Sequence, residues 1–554
     1  MNRLTRNNLV AVLGGLSAAV VFSFIVPAQA HAKGQYLQTK HVRETVSNGQ
    51  AAWVSRLPAT LVLQLTIALP LRNESELDEL LQQIYDPQSA SYHQFLSVEE
   101  FTERFGPSQE DYDAVVNFAK ENGFTVTGTA PNRMIVNVSG TVTNIDRAFH
   151  LNMGFYQHPT ENRTFYAPDR EPNADLPFAL WHITGLDNFS IPRPASLIRV
   201  PEAKGSTTGS GPNGYFIGSD IRAAYYGTTG TLTGSGQSIG LLEFAGYNIN
   251  DVNTYFSQVG QKLGVPIYGV STDGSSLSCT GSCDDTEQVL DIEEAISMAP
   301  GLTSVLVYVS DTSDVSIFNR MATDNIAKAL SCSWGWSPAD PASDDPIFKE
   351  FAAQGQNLFV ASGDSGAYRS RSRYVYPADD AYVTSVGGTN LTTTGPGGTW
   401  SSETAWSSSG GGVSPNRISI PSYQKTKGVI TTANRGSTIY RNSPDVAAEG
   451  NTDNYICYNG TCAGGWGGTS FAAPRLAGYL ALVNQQRAEN GKNPVGFINP
   501  ALYTIGLGTG YSTNFHDITS GSNGTYSAVK GFDLVTGWGS PNGVGLINTL
   551  AASP

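Results

Sequence analysis

The pattern of hydrophobic and polar positions divides the chain into two parts. In residues 35–190, an alternating stretch predicts a strand at 60–69, and leucines at helical spacing predict a helix at 74–85. Further helices are predicted at 98–105 and 109–122, and further strands at 124–129 and 134–138. This mixture predicts a small α+β unit.

From about residue 238, apolar strands alternate with helical stretches. The pattern covers residues 239–244, 249–263, 286–298, 303–309, 327–333, 357–361 and 382–386. Such alternation predicts a largely parallel sheet with helices on both faces. We expect a site at the carboxyl ends of its strands.

Residues 192–214, which join the two parts, are rich in Pro, Ser, Thr and Gly. This composition predicts an exposed, flexible joint where proteolytic nicking concentrates. The joint is either a plain linker or the end of a removable pro-segment, and the second reading requires that the second part is a protease.

The N-terminus has the features of an export signal. Arg3 and Arg6 precede an apolar run from residue 9 to 26, and Ala28-Gln29-Ala30 follows as a small-residue site. We expect cleavage after Ala30, with an uncleaved membrane anchor as the alternative. No later segment is apolar enough to span a bilayer.

Composition limits the classes of partner. The 554 residues allow two or more domains, only 14% are charged, and the formal net charge is −14. The acidic balance argues against nucleic acid or an anionic membrane. Low charge suits a secreted protein that must not swell in acid, although an ordinary acidic globular protein has the same composition.

Five cysteines fit an oxidising compartment if the close pairs are bridged. Cys457 and Cys462 flank a turn, which makes them the first candidate pair, and Cys279 and Cys283 are the second. Cys332 lies in an apolar strand and is predicted to be a buried free thiol. A zinc site is disfavoured because no histidine lies near these cysteines.

Ser470 lies in a turn typical of serine proteases, yet no histidine occurs from residue 183 to 515. A Ser-His-Asp triad needs an imidazole base. If Ser470 is a nucleophile, its base must be a carboxylate and the chemistry should run in acid. The Gly-rich turn and following helix would place its hydroxyl where N–H groups favour an oxyanion, but Ser470 could instead be a simple N-cap.

Three carboxylates are candidate partners of Ser470. Glu287 and Asp291 stand four apart on a predicted helix, so they share a face and could share a proton. The alternative is a solvated acidic helix face. Asp364 follows an apolar strand in a tight Gly turn, where a retained proton could be donated to an oxyanion, unless it only bonds its own backbone.

Asp517 and Asp533 bracket a Gly/Ser/Asn loop near the C-terminus. Their carboxylates and nearby carbonyls could form the oxygen-rich cage that calcium accepts, although the spacing is not that of an EF-hand. A plain surface loop is the alternative.

Taken together, these motifs resemble the sedolisin family, the serine-carboxyl peptidases. The strings that carry the resemblance are Glu287-Gln288-Val289-Leu290-Asp291-Ile292, Ser331-Cys332-Ser333-Trp334-Gly335, Ser362-Gly363-Asp364-Ser365-Gly366, Ser443-Pro444-Asp445-Val446-Ala447, Gly468-Thr469-Ser470-Phe471-Ala472-Ala473-Pro474, Asp517-Ile518-Thr519 and Gly531-Phe532-Asp533. Residues 86–96 and 99–101 resemble the family's pro-kumamolisin-like activation domain.

The resemblance implies an α/β catalytic domain with a subtilisin-like, mostly parallel sheet and helices on both faces, preceded by a small α+β, ferredoxin-like pro-domain. The implied boundaries are a signal peptide at 1–30, a pro-domain at 31–200 with cleavage within about 195–212, and a catalytic domain at 213–554 that ends in a calcium loop.

The resemblance also implies a role for each candidate. Ser470 attacks the peptide carbonyl, Glu287 accepts its proton, and Asp291 orients Glu287. Asp364 and the Ser470 N–H stabilise the oxyanion, and Glu243 extends the carboxylate network. One structural Ca²⁺ would be held by the side chains of Asp517 and Asp533 and by three carbonyls, those of Ile518, Val529 and Gly531.

The expected protein is a secreted, monomeric, acid-active endopeptidase made as an autoprocessed zymogen. Its partners would be protein or peptide substrates and its own pro-domain as an intramolecular inhibitor, without nucleic acid and, after signal cleavage, without a membrane. Tripeptidyl-peptidase action and an inactive binding protein of the same fold are the alternatives.

Overall fold

The computed structural model describes residues 34–195, 197–200, 208–281, 283–337, 339, 341–369 and 375–553. The expected signal at 1–30 and the joint residues 201–207 lie outside these ranges. Across the described ranges, no helix combines the length and apolar character needed to cross a membrane.

The N-terminal domain is α+β, as expected. Two antiparallel sheets dominate it, one in the order β4-β5-β3-β9 and one in the order β2-β6-β7, while β1 pairs with β8. Its strands are β1 (Gln35–Tyr36), β2 (Trp53–Arg56), β3 (Val62–Ala68), β4 (Thr125–Thr129), β5 (Ile135–Thr141), β6 (Met153–Gln157), β7 (Thr164–Pro168), β8 (Asn173–Ala174) and β9 (His182–Thr184). Its helices are α1 (Glu44–Ser47), α2 (Glu74–Ile84), α3 (Val98–Arg104), α4 (Gln109–Glu121) and α5 (Val142–Ala148).

The joint holds two short strands, β10 (Arg193–Pro194) and β11 (Ile198–Arg199). The C-terminal domain, which is the expected catalytic domain, then contributes β12 (Ser238–Glu243), β13 (Ile267–Ser271), β14 (Ser304–Val309), β15 (Ala329–Cys332), β16 (Trp334–Gly335), β17 (Asn357–Ala361), β18 (Thr384–Thr393), β19 (Trp400–Ala405), β20 (Gly412–Val413), β21 (Asn442–Ser443), β22 (Val446–Glu449), β23 (Asn454–Tyr458), β24 (Thr461–Gly467), β25 (Phe515–His516) and β26 (Ser540–Pro541).

The helices of the catalytic domain are α6 (Gly218–Tyr225), α7 (Ile249–Gln258), α8 (Thr286–Met298), α9 (Asp314–Asp324), α10 (Pro341–Ala353), α11 (Thr469–Glu489), α12 (Asn499–Leu507), α13 (Tyr511–Asn514) and α14 (Gly543–Ala552), with 3-10 turns at Pro212–Gly214 and Ser422–Lys425. Its main sheet has the order β13-β14-β12-β15-β17-β18-β19, and β22 also pairs with β18. All of these pairs are parallel except β18 with β19.

Alternate residues of the central strands enter two hydrophobic cores on opposite faces of the sheet. On β14, Val305 and Val307 enter one core, whereas Leu306 and Tyr308 enter the other. Helices α8 and α11 cover the first face, and α9 and α10 cover the second. The predicted parallel sheet with helices on both faces is therefore confirmed.

The pro-domain packs on the face that α9 and α10 cover. Leu77 and Phe101 of the pro-domain share one apolar cluster with Phe348. The Asn132 amide donates to Glu350 Oε2 at 2.8 Å, and Lys349 forms a 2.9 Å ion pair with Asp78. The interface thus combines apolar burial with polar contacts from several elements.

The joint differs from the exposed, flexible segment that composition predicted. Strand β10 pairs with β16 and strand β11 pairs with β24, so residues 193–194 and 198–199 of the joint are bonded to strands of the catalytic domain. Ala195 is buried, whereas Arg193 and Arg199 are exposed as predicted. The prediction of an unpaired segment was wrong for these residues because their backbone groups bond to the catalytic domain instead of to water.

The cysteine predictions are confirmed. The structure contains the Cys279–Cys283 and Cys457–Cys462 disulfides, and Cys332 is a buried free thiol.

Candidate active site

Ser470 lies in the first turn of α11, the long helix that runs beneath the sheet. Its side chain is buried, and the residue that caps the helix is Gly468, so the N-cap alternative for Ser470 is wrong. The Gly-rich segment before it, expected to be a turn, continues strand β24 as far as Gly467. At the start of a helix, backbone N–H groups without intrahelical partners face the site.

Glu287 and Asp291 lie one turn apart on α8, which packs along α11. Every residue of α8 is buried, so the alternative of a solvated acidic face is wrong. The helices approach closely at Gly478, where an added Cβ would lie 2.7 Å from Met298 Cβ and 3.0 Å from the Ala295 carbonyl oxygen. This close packing holds the two carboxyls beside the start of α11.

Burial is the main influence on the Glu287 carboxyl and raises its pKa well above the ordinary value. The negative charge of Asp291 raises this pKa further, while the Ser470 hydroxyl is near enough to lower it. The side chains of Glu287 and Ser470 nevertheless make no hydrogen bond of ordinary geometry. Glu287 therefore tends to hold a proton more firmly than an exposed glutamate.

Asp291 belongs to a chain of polar groups that begins beside Ser470, whose carbonyl oxygen lies 3.4 Å from the Ser333 hydroxyl. The Ser333 hydroxyl donates to Asp291 Oδ1 at 2.8 Å, and the Trp334 indole donates to Glu243 Oε2 at 2.9 Å. Burial raises the pKa of both Asp291 and Glu243, and the two carboxyls also interact directly. Sequence reasoning assigned no role to Ser333 or Trp334, although both lie in the Ser-Cys-Ser-Trp-Gly string after β15.

Asp364 follows β17 at the carboxyl end of the sheet. Its Oδ1 accepts hydrogen bonds from the Thr469 N–H at 2.7 Å and from the Thr469 hydroxyl at 2.9 Å, so it does not bond only its own turn. Its Oδ2 is buried without a hydrogen-bond partner. Burial raises the pKa of Asp364 to about 7, so below that pH the free oxygen can carry a proton.

The histidine nearest to Ser470 in sequence makes contacts of its own. His516, which follows the long histidine-free stretch, stacks on Trp400 with ring centroids 3.8 Å apart, and burial lowers its pKa to about 4. A histidine-dependent subtilase site is therefore not formed by this residue.

The joint crosses the site. An added Cβ on Gly468 would lie 2.8 Å from Asp364 Oδ2 and 3.0 Å from Leu197 Cδ2. Ala195 donates its N–H to the Ser333 carbonyl at 2.9 Å. Ala195 and Leu197 of the joint therefore lie beside Ser333 and Gly468, and Gly468 is two residues before Ser470.

The C-terminal loop brings Asp517 and Asp533 to the same turn. Asp517 Oδ1 accepts the Gly531 N–H at 3.0 Å, and Asp533 Oδ2 accepts the Val529 N–H at 3.1 Å. Asp533 is fully buried, so a plain surface loop does not describe it. No group of three or more His, Cys, Asp and Glu side chains suited to a metal occurs among the described residues.

A subtilisin-like sheet with a helix-terminal serine among buried carboxyls, behind an α+β activation domain, defines a class of serine-type peptidase. A model of the pro-kumamolisin activation domain matches residues 30–189, and a subtilase family model matches residues 237–501. Together with the relatives below, these matches show that the chain belongs to the sedolisin family of serine-carboxyl peptidases.

Kumamolisin of Bacillus sp. (strain MN-32) is 31% identical over 90% of this chain and 94% of its own length. Xanthomonalisin of Xanthomonas sp. (strain T-22) is 30% identical over 90% of this chain and 67% of its own length. The solved structure of Pseudomonas sedolisin, complexed with two molecules of pseudo-iodotyrostatin, covers 63% of this chain and 98% of its own, with a TM-score of 0.53 and 27% identity. Tripeptidyl-peptidase 1 of Rattus norvegicus, 27% identical over 90% of this chain, is also a relative.

Proposed function

We propose that this protein is a secreted endopeptidase that is active in acid and is made as a zymogen that cleaves itself. One observation carries the proposal. The Glu287 carboxyl interacts with both the Ser470 hydroxyl and the Asp364 carboxyl, although the three residues come from different elements. Leu197 of the joint lies beside Gly468, two residues before Ser470. The signal-like N-terminus supports export.

In the proposed reaction, Ser470 Oγ attacks the peptide carbonyl and Glu287, in the fraction of molecules where it is ionised, accepts the hydroxyl proton. Asp291, held by Ser333, orients Glu287. The protonated Asp364 and the Ser470 N–H donate hydrogen bonds to the oxyanion. Glu287 then returns the proton to the leaving amine, and water hydrolyses the resulting ester by the same steps.

The pro-domain is proposed to keep the precursor inactive until it is cut within about residues 195–212. Strand β10 pairs with β16 and strand β11 pairs with β24, and these two strands form the two walls of the proposed cleft. The pairing supports this proposal because a substrate would need the same backbone groups. Residues 196 and 201–207 of this interval lie outside the described ranges.

The first test is Ser470→Ala. We expect the variant to lose both self-cleavage and peptide hydrolysis at acid pH, by about 10⁶-fold in kcat, because no other group can form the acyl-enzyme. Intact mass of the precursor and hydrolysis of a fluorogenic peptide measure the two effects. Ser401→Ala, at an exposed position of β19, is the matched control and should process normally. Full activity of Ser470→Ala would contradict the assignment.

Two alternatives have separate readouts. A precursor that stays intact at every pH from 7 to 3 would favour a binding protein of the same fold. Cleavage-site profiling with a peptide library at acid pH separates endopeptidase action, which cuts inside long peptides, from tripeptidyl-peptidase action, which releases three residues from the N-terminus.

We further propose one structural Ca²⁺ in the C-terminal loop, held by the Asp517 and Asp533 carboxylates and the Ile518, Val529 and Gly531 carbonyls. The donor chemistry fits, because hard oxygen ligands are what calcium prefers. In addition, none of the three carbonyls accepts a hydrogen bond from the described residues. The bound ion would tie the loop to the end of the catalytic domain.

Calcium removal tests this proposal. Because an ion that binds only the folded state stabilises it, we expect EGTA at neutral pH to lower the Tm of the catalytic domain and added Ca²⁺ to restore it. Asp517→Asn should abolish the calcium dependence of Tm. Asp311→Asn, at an exposed position outside the C-terminal loop, should not. An identical Tm with EGTA and with millimolar Ca²⁺ would contradict the site.

A further inference from the structure

One wall of the cleft is a hairpin built from β23 and β24. Cys457 and Cys462 face each other across it and are joined by a disulfide. At its tip, the Asn459 N–H donates to Asp285 at 3.0 Å, and the Asn459 carbonyl oxygen of the side chain accepts the Asp285 N–H at 3.1 Å. The hairpin is therefore fixed both internally and to the start of α8.

Near Ser470, the joint stops bonding to the segment after β15 and begins to pair with the hairpin. Ala195 bonds to the Ser333 carbonyl, on the wall formed by the segment after β15. Further along, Ile198 pairs with Gly467 and Arg199 pairs with Trp466 on the hairpin. Between these anchors Leu197 lies against Gly468. The Ser333 hydroxyl also donates to the Ser470 carbonyl at 3.4 Å, so Ala195 is anchored next to the nucleophile. If the Ala195 carbonyl is the one that is attacked, Arg199 is the fourth residue beyond the cleaved bond.

Arg199 lies over two aromatic rings of the hairpin. Its guanidinium carbon is 5.5 Å from the centroid of Trp466 and 6.0 Å from that of Tyr458. The two rings pack edge to face, with centroids 4.9 Å apart and an interplanar angle of 83°. Because the two rings pack against each other, they are already positioned to bind a cation at their faces before a ligand is present.

We propose that Trp466 and Tyr458 form a subsite on the leaving-group side of the cleft that selects arginine or lysine four residues after the cleaved bond of a peptide substrate. This inference rests on the proposed peptidase function and adds a specificity determinant to it.

Acid chemistry favours an aromatic subsite for a cation. A subsite built from exposed Asp or Glu side chains would lose its charge near pH 4, where their ordinary pKa values lie. Aromatic rings do not titrate in this range, and the guanidinium keeps its charge at every pH in use. The same two rings therefore attract a cation equally at pH 3 and at pH 6.

The test uses synthetic peptides with the sequence of residues 190–203, labelled for fluorescence and cut by the mature enzyme at acid pH. One peptide keeps arginine at position 199, and others carry lysine, citrulline or glutamate there. Citrulline has nearly the shape of arginine without the charge. We expect kcat/KM to fall about 2- to 5-fold for citrulline, as for loss of an exposed cation–π contact, and further for glutamate. Citrulline at position 193 is the matched control.

The enzyme side of the test uses Trp466→Leu and Trp466→Phe. We expect the ratio between the arginine and citrulline peptides to fall to about 1 in Trp466→Leu and to be partly kept in Trp466→Phe, while the effect of position 193 stays the same in all three enzymes. Equal kcat/KM for the arginine, citrulline and glutamate peptides with the unmodified enzyme would overturn the subsite. Failure to cut any of the peptides would instead overturn the proposed function.

Discussion

At the scale of single residues, burial sets the pKa of the acidic side chains in the site. Glu287, Asp291 and Asp364 all have a raised pKa, and for each of them burial is the largest cause. The raised pKa has its clearest consequence at Asp364. One oxygen of this carboxyl accepts two hydrogen bonds from Thr469, and the other lacks a hydrogen-bond partner. A proton is needed on the second oxygen if Asp364 is to act as a donor.

The pH dependence of activity should follow Asp364. Its pKa of about 7 lies above the ordinary value, so it is protonated in acid and loses its proton as the pH rises through about 7. We expect kcat/KM of the mature enzyme to fall over the same interval. Asp364→Ala should lower kcat by about 10²- to 10³-fold, as for loss of one oxyanion donor.

Asp364→Asn is the informative comparison, since its amide donates a hydrogen bond at every pH. The activity that remains in this variant should lack the descending limb near pH 7. If the pH profile of Asp364→Asn still falls near pH 7, a group other than Asp364 is responsible for the loss of activity there.

The sequence predicted these residues but not their surroundings. Ser470, Glu287, Asp291 and Asp364 were recognisable from motifs and from the missing histidine. Their burial, and the bonds from Ser333 and Thr469, depend on segments far apart in the chain. No local pattern predicts such contacts.

At the scale of elements, the pairing of α8 with α11 sets the geometry of the site. The base candidates lie on one helix and the serine on the other, and the space between them is kept small by Gly478. Any group that separates these helices also separates Glu287 from Ser470.

Gly478→Ala tests this dependence. The new methyl group would meet Met298 Cβ at 2.7 Å, so we expect a loss of about 1–3 kcal/mol of stability and a lower kcat at the pH optimum. Thermal unfolding and peptide hydrolysis measure the two effects. Gly264→Ala, where an added Cβ has no neighbour within 4 Å, should change neither. An unchanged kcat in Gly478→Ala would mean that the helix spacing tolerates a methyl group.

Elements with strong periodicity were predictable, and short ones were not. The sequence predicted α8 at residues 286–298, and the structure has it there. The hairpin of β23 and β24 was missed, because Gly464, Gly465 and Gly467 suggested a turn and the strand is held by pairing with β11. Tertiary pairing outweighed local propensity at this position.

At the scale of the whole molecule, the buried titratable groups of the two domains are expected to respond to acid in opposite directions. The catalytic domain buries acids whose pKa is raised well above the ordinary value, chiefly by burial, such as Glu449 and Glu293. Their contribution to stability is complete below about pH 4 and is lost as the pH rises through these raised pKa values. The pro-domain buries His41 and His182, and burial lowers the pKa of His182 to about 3. Their contribution is present above about pH 6.5 and is lost as the pH falls through these lowered pKa values, which for His182 means toward about 3.

We therefore expect a fall from pH 7 to pH 4 to loosen the pro-domain while the catalytic domain becomes more stable. Hydrogen exchange of the full-length Ser470→Ala chain, corrected for the intrinsic effect of pH, measures each domain separately. His182→Gln should weaken the pH dependence of the pro-domain. Parallel changes in both domains would contradict the opposite signs.

The joint across Ser470 also determines the order of the activation kinetics. The strand to be cut and the serine proposed to cut it belong to one molecule, so the first cut needs no encounter between molecules. Its rate should be first order and insensitive to dilution, and each molecule would make this cut once. After the proposed cut within about residues 195–212, one new chain end would belong to the pro-domain and the other to the catalytic domain. Exchange with outside substrates then depends on how fast these two ends leave the cleft.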